Sequence, residues 1–520
     1  MSIPMPLSKS DFMLFLRHPA WLWLKKHDKA RLPPIDDNLQ AMFDAGHQLE
    51  SYAEQLFPNA TKLGFRSYGE YLSLPARTAR VIEQGASTVF QGRLEVDGLT
   101  CIFDVLRRVD EGEIDDDEGE GEQDHQNSKK FDLIEIKSST KAKPEHHYDL
   151  AFQLLVLEKA GYSVRKISVL HLNKDYIKQG EIDPQALCAQ TDITPEVKAL
   201  LPIVKQQVQA AQATLNQPAL PDISPRHVNQ LKIAGVSRWF SDWLEIFKTL
   251  QPNFDPYNLY QLSYPSPEQI GQLEDAGIST IANIPDELAL RPKQLAQIKC
   301  TRQDQPILHR DKIKQFLESF QYPLYFFDYE TLSSAIPLFD GMSPYADYPF
   351  QYSLHLLRSP VAKLEHREYL HDRNSNPMPE LLEQLKRDIG DQGTVLTWNM
   401  SYEKDCNKRM VALYPQHAEF LAKLNERIED LMTPFAKMWY FHKDFFGSVS
   451  IKKVLPVLAS ELSYQELNVG DGLLARRTWM QTVLEGKNQA DRAQIMDDLK
   501  EYCRLDTLSL IHISEPTRPY

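Results

Sequence analysis

LYFFDYETL, residues 324–332, runs four apolar and aromatic side chains into Asp328-Tyr329-Glu330-Thr331. A segment this short and this rich in aromatic residues reads as a buried strand. Side chains alternate faces along a strand, so Asp328 and Glu330 share one. Downstream, YPFQYSLHLL (348–357) and EHREYLH (365–371) read as further strands, 378–389 as a helix and TVLTWN (394–399) as another strand. The remainder to Thr507 is mainly helical in pattern. This part of the chain is predicted to be α/β, with two like charges held at the end of a core strand.

Other acids can join that pair. Tyr502-Cys503-Arg504-Leu505-Asp506 puts a phenol and a carboxylate at i and i+4, one above the other on a helix. WNMSYEKD supplies Glu403 just after a strand, with Asp405 and Asp430 as competitors for the same role. D-x-E on a first strand, an acid after an N-x-x-[F/Y] element and a late Y-x-x-x-D resemble the DEDDy exonucleases. Asn399 precedes Glu403 at that family's spacing. The strand–helix order is similar to the start of a ribonuclease H-like layout. The resemblance implies two Mg²⁺ or Mn²⁺ ions, which in such sites lie ~3.5–4 Å apart. Asp328, Glu330 and Asp506 would ligate them directly. Glu403 would act through water or as a longer-reaching ligand, since the family usually has Asp there, and Tyr502 would orient the attacking water.

A second constellation lies in the N-terminal half. Asp104 follows the apolar Cys101-Ile102-Phe103, and FDLIEIK (131–137) ends on Glu135 and Lys137, which share a strand face. Two carboxylates with a lysine suit a hard divalent cation and the positioning of an attacking water. The pattern resembles the RecB-type PD-(D/E)XK nucleases, related to the CRISPR-adaptation nucleases. By that resemblance Glu50, in Gly46-His47-Gln48-Leu49-Glu50, is a further metal ligand, and Gln153, in YDLAFQLLVL, joins Lys137 in the catalytic set. The match runs over residues 7–176. Leu157 stands where the pattern often has Tyr. His18 stands where many relatives carry the first of four cluster cysteines, and no iron-sulfur cluster is expected.

Residues 1–217 are read as the RecB-type domain, 218–320 as a helical linker after Pro218, Pro221 and Pro225, and 321–507 as the DEDDy domain. A single helix is expected over 7–27. In the linker LEDAGISTIANIP (273–285) is similar to a helix-hairpin-helix, whose glycine-turn amides can hold phosphate; a plain helix connection ending on Gly277 is the other reading. IPLFDGMSPYADYPFQYSLHLL and GSVSIKKVLPVL resemble a bacterial family of unknown function that joins the two modules. Gly447, Ser448 and Lys452 in the latter are either phosphate contacts or a helix cap and a solvated lysine. LSLIHISEPTRPY (508–520) resembles the translation of a sequencing adapter and is set apart from the fold, with a mobile tail expected after about Ile513.

Composition bounds this reading. In a chain of 520 residues, 25% charged and 42% hydrophobic side chains are ordinary globular content. The net charge of −14 argues against a nucleic-acid partner until the ten acids of residues 110–124 are set aside as a solvated loop, which leaves −4. Five separated cysteines form no CxxC pair, no phosphate-loop motif occurs, and no apolar run reaches membrane-spanning length. The expectation is a cytoplasmic, metal-dependent nuclease with no membrane contact, acting on nucleic acid, DNA ahead of RNA, in repair or phage defence. An RNA 3′–5′ exonuclease and a non-catalytic nucleic-acid-binding scaffold are the alternatives.

Overall fold

The computed structural model describes residues 6–34, 37–109, 130–251, 253–288, 290–464 and 467–514; the acidic run 110–124 lies outside them. The protein is mixed α/β and divides into two compact units, Met1–Phe254 with Ser266–Gly271 and Ala335–Tyr345, and Asp255–Pro265 with Gln272–Ser334 and Ala346–Tyr520. Region 218–320 is thus shared between the units rather than forming a body of its own.

In the first unit the chain begins with β1 (Leu7–Ser8), α1 (Lys9–Arg17), α2 (Pro19–His27), α3 (Asp37–Ala53), β2 (Thr61–Lys62) and α4 (Tyr68–Glu83). The single helix expected over 7–27 is two helices with His18 extended between them (φ −163°, ψ 129°). The physical reason is Pro19, which drives the preceding residue out of the helical region. Ser8 caps α1, accepting the Asp11 amide while Asp11 accepts the Ser8 amide. His18 caps α2: Nδ1 accepts the Ala20 amide at 3.1 Å, Nε2 donates to the Ser224 carbonyl at 3.0 Å, and the ring stacks on Trp243 at 3.7 Å. Burial lowers the His18 pKa to about 3, so the ring is neutral and both its nitrogens are engaged.

The sheet of this unit continues with β3 (Thr88–Val96), β4 (Leu99–Arg108) and β5 (Lys130–Lys137), then α5 (Pro144–Lys159), β6 (Ser163–Leu172), α6 (Pro184–Leu187), β7 (Cys188–Asp192), α7 (Thr194–Leu215) and α8 (Arg238–Leu250). The strand order is β2-β3-β4-β5-β6-β7, with β1 also paired to β4. β3, β4 and β5 are antiparallel, whereas β5 and β6 run parallel through the crossover α5. Asp97 (φ 50°) and Gly98 (φ 71°) close the β3–β4 hairpin, both left-handed as a two-residue turn that matches strand twist requires. α5 starts on Pro144, whose missing N–H costs nothing at a helix start, and is buried from Asp149 to Leu157. Phe152 stacks on Phe12 at 5.1 Å, joining α5 to α1.

The connecting region holds α9 (Pro267–Asp275), α10 (Pro292–Gln303), β8 (Ile307–Leu308) and α11 (Arg310–Glu318). α9 closes on Gly277 (φ 72°), where the Gly277 amide donates to Glu274 and the Ile278 amide to Leu273. Those amides serve the helix's own carbonyls, and a 3-10 turn at Ile281–Asn283 follows instead of a second α-helix.

The second unit is built on β9 (Leu324–Leu332), β10 (Tyr348–Leu357), β11 (Glu365–Leu370), α12 (Met378–Asp388), β12 (Thr394–Thr397), α13 (Met400–Leu413), α14 (Ala418–Glu426), β13 (Ile428–Asp430), α15 (Thr433–Ala436), β14 (Tyr440–Phe441), α16 (Ile451–Leu458), α17 (Gly472–Trp479) and α18 (Arg492–Ser514). Its main sheet has the order β11-β10-β9-β12-β13, antiparallel on the β11–β10–β9 side and parallel from β9 to β13. One face of β9 meets α18. Leu324 and Phe326 pack with Leu510 and Ile511 in a buried cluster, and at period two the same face continues to Asp328 and Glu330. Stepping back along α18 by four residues from Leu510 reaches Asp506 and then Tyr502. Burying such apolar side chains stabilises by roughly 1.5–3 kcal/mol each, so the apolar end of this contact anchors the acidic end. Residues 508–514, set apart in the sequence reading, form the last two turns of α18, with Ile513 packed against Phe435 and Val454; residues 515–520 lie outside the described residues. Among the described residues no helix is long and apolar enough to cross a membrane.

Candidate functional sites

In the first unit the β4–β5 register pairs Val105 with Ile134, so the next position sets Asp104 opposite Glu135 on one sheet face. Asp104 accepts the Ile136 amide at 2.8 Å and the Gln91 side chain at 3.3 Å. Glu135 is fully engaged: Lys137 Nζ is 2.7 Å from Oε1, Lys9 Nζ is 2.6 Å from the same oxygen, and Gln153 Nε2 donates to Oε2 at 2.8 Å. Asp149, one turn before Gln153 on α5, accepts from Lys137 at 2.7 Å and from Gln153 at 3.1 Å. Gln153 Oε1 is buried without a hydrogen-bond partner.

These contacts divide the acids. Burial and the Glu135 charge push Asp104 up to about 7. Burial would raise Glu135 too, but the Lys137 and Lys9 ammoniums outweigh it and hold Glu135 below its ordinary value. Asp149 is depressed against the same burial by the same two cations. Lys137 is raised despite its own desolvation by Asp149 and Glu135, so it stays an ammonium.

In the second unit Asp328 and Glu330 come from β9 and Asp506 from α18. Oxygens of Asp328 and Glu330 and the Cys503 sulfur lie within 4.8 Å of one another. Few cations offset this cluster. Burial and the Asp506 and Glu330 charges drive Asp328 well above its ordinary range; burial and Asp506 do the same for Glu330, against partial relief from Arg476 and Lys452. Asp506 rises to about 6 through burial, restrained by the hydrogen bond from Tyr464 at 2.6 Å and by Lys452. Glu403, at the start of α13, is 1% exposed; burial pushes it up to about 8, with the Asp430 charge adding to this and Thr397 relieving it in part, its charge reaches Asp328, and its Oε2 and the Thr397 hydroxyl make no well-formed hydrogen bond. A buried carboxylate oxygen without a well-formed hydrogen bond costs free energy that a bound cation would recover. Tyr502 is 4% exposed, and burial together with Asp506 and Glu330 raises its pKa far above that of a free phenol, so it keeps its proton. Burial and the same acids keep Cys503 a neutral thiol. Gly472 opens α17 so close to the site that a Cβ there would lie 3.4 Å from Glu330 Oε2 and 3.8 Å from the Tyr502 hydroxyl.

Of the residues singled out in the sequence, Asp104, Glu135, Lys137 and Gln153 meet in one cluster; in the other, Asp328 and Glu330 lie together, the Asp506 charge acts on both and on Tyr502, and the Glu403 charge acts on Asp328. The Glu50 carboxylate is half-buried and lies 3.5 Å from His47 Nδ1. Asp405 is exposed and pairs with Lys408, while Asp430 accepts the Asn399, Met400 and Met432 amides and its charge bears on Glu403. Ser448 accepts the Ser450 amide at 3.1 Å in the turn before α16. Lys452 donates to the Gly470 carbonyl at 2.9 Å and stands 5.7 Å and 6.0 Å from the Tyr464 and Tyr502 ring centres. Lys9, Asp149 and Tyr464 were not singled out. Asp149 carries a local signal, an acid four residues before Gln153 on one helix face; Lys9 and Tyr464 reach their partners only through tertiary structure.

Residues 325–450 match a family described as "Domain of unknown function (DUF2779)". The chain is also similar to an uncharacterized protein of Mycoplasma pneumoniae, the MG366 homolog, 26% identical over 226 residues that cover 39% of this chain and 33% of that protein. Uncharacterized protein MG366 of Mycoplasma genitalium is 23% identical over 220 residues, 39% of this chain and 33% of its own length. Uncharacterized protein UU173 of Ureaplasma parvum is 25% identical over 223 residues, 36% and 30%. The chain thus spans about a third of the length of the curated relatives it matches.

Proposed function

We propose that the chain is a metal-dependent nuclease with two hydrolytic phosphodiesterase modules, a RecB-type PD-(D/E)XK domain and a C-terminal DEDDy 3′–5′ exonuclease domain of ribonuclease H-like fold, processing DNA ends in repair or phage defence. The observation that supports the reading is the second cluster, in which Asp328 and Glu330 lie together, the Asp506 and Glu403 charges bear on Asp328, and little positive charge compensates them. The carboxylate oxygens of this set fit Mg²⁺ or Mn²⁺, with the neutral Cys503 thiol beside them. Bound there, divalent ions would supply an activated water and charge stabilisation for the leaving oxygen.

The protein's own groups do the rest. Asp328, Glu330 and Asp506 would hold the cations, with Glu403 reaching in from α13. Tyr502, keeping its proton, serves as a donor that orients the attacking water and not as a base. In the first unit Asp104 and Glu135 would hold a cation and Lys137, a permanent ammonium, would position water or phosphate. Incubation with end-labelled DNA and RNA in Mg²⁺, Mn²⁺ or EDTA tests the proposal, the RNA arm distinguishing a ribonuclease.

A further inference from the structure

Lys9 has no part in the chemistry proposed above, yet it is placed as firmly as any member of the first cluster. β1 pairs Leu7 with Leu99 and Ser8 with Thr100 of β4, the strand that bears Asp104, and Ser8 caps the helix that Lys9 begins. Leu7 is fully buried, so the backbone is anchored on both sides of the site. From there Lys9 Nζ reaches 2.6 Å from Glu135 Oε1 and 3.6 Å from Asp149 Oδ1.

As a hydrogen-bond donor to Glu135, Lys9 is duplicated. Lys137 already contacts the same Glu135 oxygen, and Gln153 holds the other. Oε1 carries both lysines and Oε2 one neutral donor, so a divalent cation that takes Oε1 has to displace an ammonium, and Lys9 is one of the two that stand on it. Its side chain is 22% exposed, enough to move aside along its flexible stem. Charge completes the argument. With Asp104 ionised, as a bound cation requires, Asp104, Glu135 and Asp149 against Lys9 and Lys137 leave one negative charge in excess. A divalent cation turns that into one positive charge, which a phosphodiester neutralises. Without Lys9 the cation-loaded site would be neutral and would meet substrate with no attraction.

We infer that Lys9 is a second basic residue of the N-terminal site, which holds Glu135 Oε1 against divalent cations and, once off that oxygen, binds the phosphate of the incoming strand. This rests on the nuclease reading of that site. It makes removal of Lys9 act in opposite directions on two ligands, which loss of a structural ion pair does not do.

The test uses the full chain carrying Asp328→Asn and Glu330→Gln, so that the C-terminal cluster contributes little cation binding or cleavage. Lys9→Met in this background is expected to bind Mn²⁺ more tightly, by roughly tenfold for an interaction worth ~1.4 kcal/mol, in a calorimetric titration. The same variant should bind an oligonucleotide with a log K versus log[salt] slope reduced by about one, and with KM raised more than kcat is lowered. Lys9→Arg should restore the slope. Lys9→Gln, close in size and polar, serves if the Met variant does not fold. Mn²⁺ affinity that is unchanged or weaker, or an unchanged salt slope, overturns the inference. Glu135→Gln separates the two claims: if it spares cleavage, the nuclease reading of this site fails; if it abolishes cleavage while Lys9→Met behaves as its parent, only the role of Lys9 fails.

Discussion

Tyr464 donates its phenolic O–H to Asp506 Oδ1 across 2.6 Å, tying the segment before α17 to the acid on α18. Burial and the Asp506 charge raise the Tyr464 pKa, so it remains a donor and favours the charged carboxylate. Tyr464→Phe removes one oxygen and little volume. It is expected to weaken Mn²⁺ binding and exonuclease activity by about 10- to 100-fold, the scale on which partners of metal-ligating groups act. A Mn²⁺ titration followed by melting temperature checks this, with the metal-free melting temperature nearly unchanged.

The acids of the second cluster predict a direction for pH. Asp506 and Glu403 are raised to about 6 and about 8, and Asp328 and Glu330 also lie above their ordinary values. A group raised in the folded state contributes stability that is fully present below its unfolded pKa and is lost as pH rises through the folded value. In EDTA the second unit should therefore lose melting temperature between about pH 4 and 8. Mn²⁺, binding the ionised native cluster, should remove that slope.

The first cluster holds both signs. Asp104, raised to about 7, follows the second cluster above about pH 4, whereas Glu135 and Asp149 are depressed, so their contribution is lost as pH falls below the ordinary carboxylate range. Melting of the Asp328→Asn/Glu330→Gln protein from about pH 4 downward should show the first unit destabilised by acid.

Lys137→Ala in that background should leave folding intact, because Lys9 still compensates Glu135, and should reduce cleavage by ~10² or more. Steady-state rates on a labelled duplex and a circular dichroism spectrum are the two readouts.

Gly472 is predicted to be intolerant of bulk. Gly472→Val would place branched carbons against Glu330 Oε2 and the Tyr502 hydroxyl, abolishing the Mn²⁺ thermal shift while Gly472→Ala, whose Cβ meets only ordinary contacts, retains most of it.

The parts of this architecture legible in the sequence are those with a short period. Strand alternation placed Asp328 with Glu330 and Glu135 with Lys137 on shared faces, and helical spacing placed Tyr502 above Asp506. His18-Pro19 carried its own break signal, which the apolar periodicity on either side masked. Lys9 was illegible because it comes to Glu135 through the β1–β4 pairing, 126 residues away in sequence. Tyr464 was illegible because nothing within its own segment points to Asp506. Residues 508–514 were set apart for what they resemble, whereas Leu510, Ile511 and Ile513 offer the apolar spacing that continues a helix across a sheet.

The most direct measurement of the central claim is cleavage of end-labelled single- and double-stranded DNA and RNA by four full-length proteins: the parent, Asp328→Asn/Glu330→Gln, Glu135→Gln/Lys137→Ala, and the combination of all four changes. The account predicts Mg²⁺- or Mn²⁺-dependent cleavage by the parent that EDTA abolishes. It predicts loss of stepwise 3′-end shortening in the first variant only, loss of the remaining cleavage in the second only, and no cleavage when they are combined. Equal cleavage by the parent and the combined variant, or no cleavage by the parent of any substrate in either metal, would contradict it.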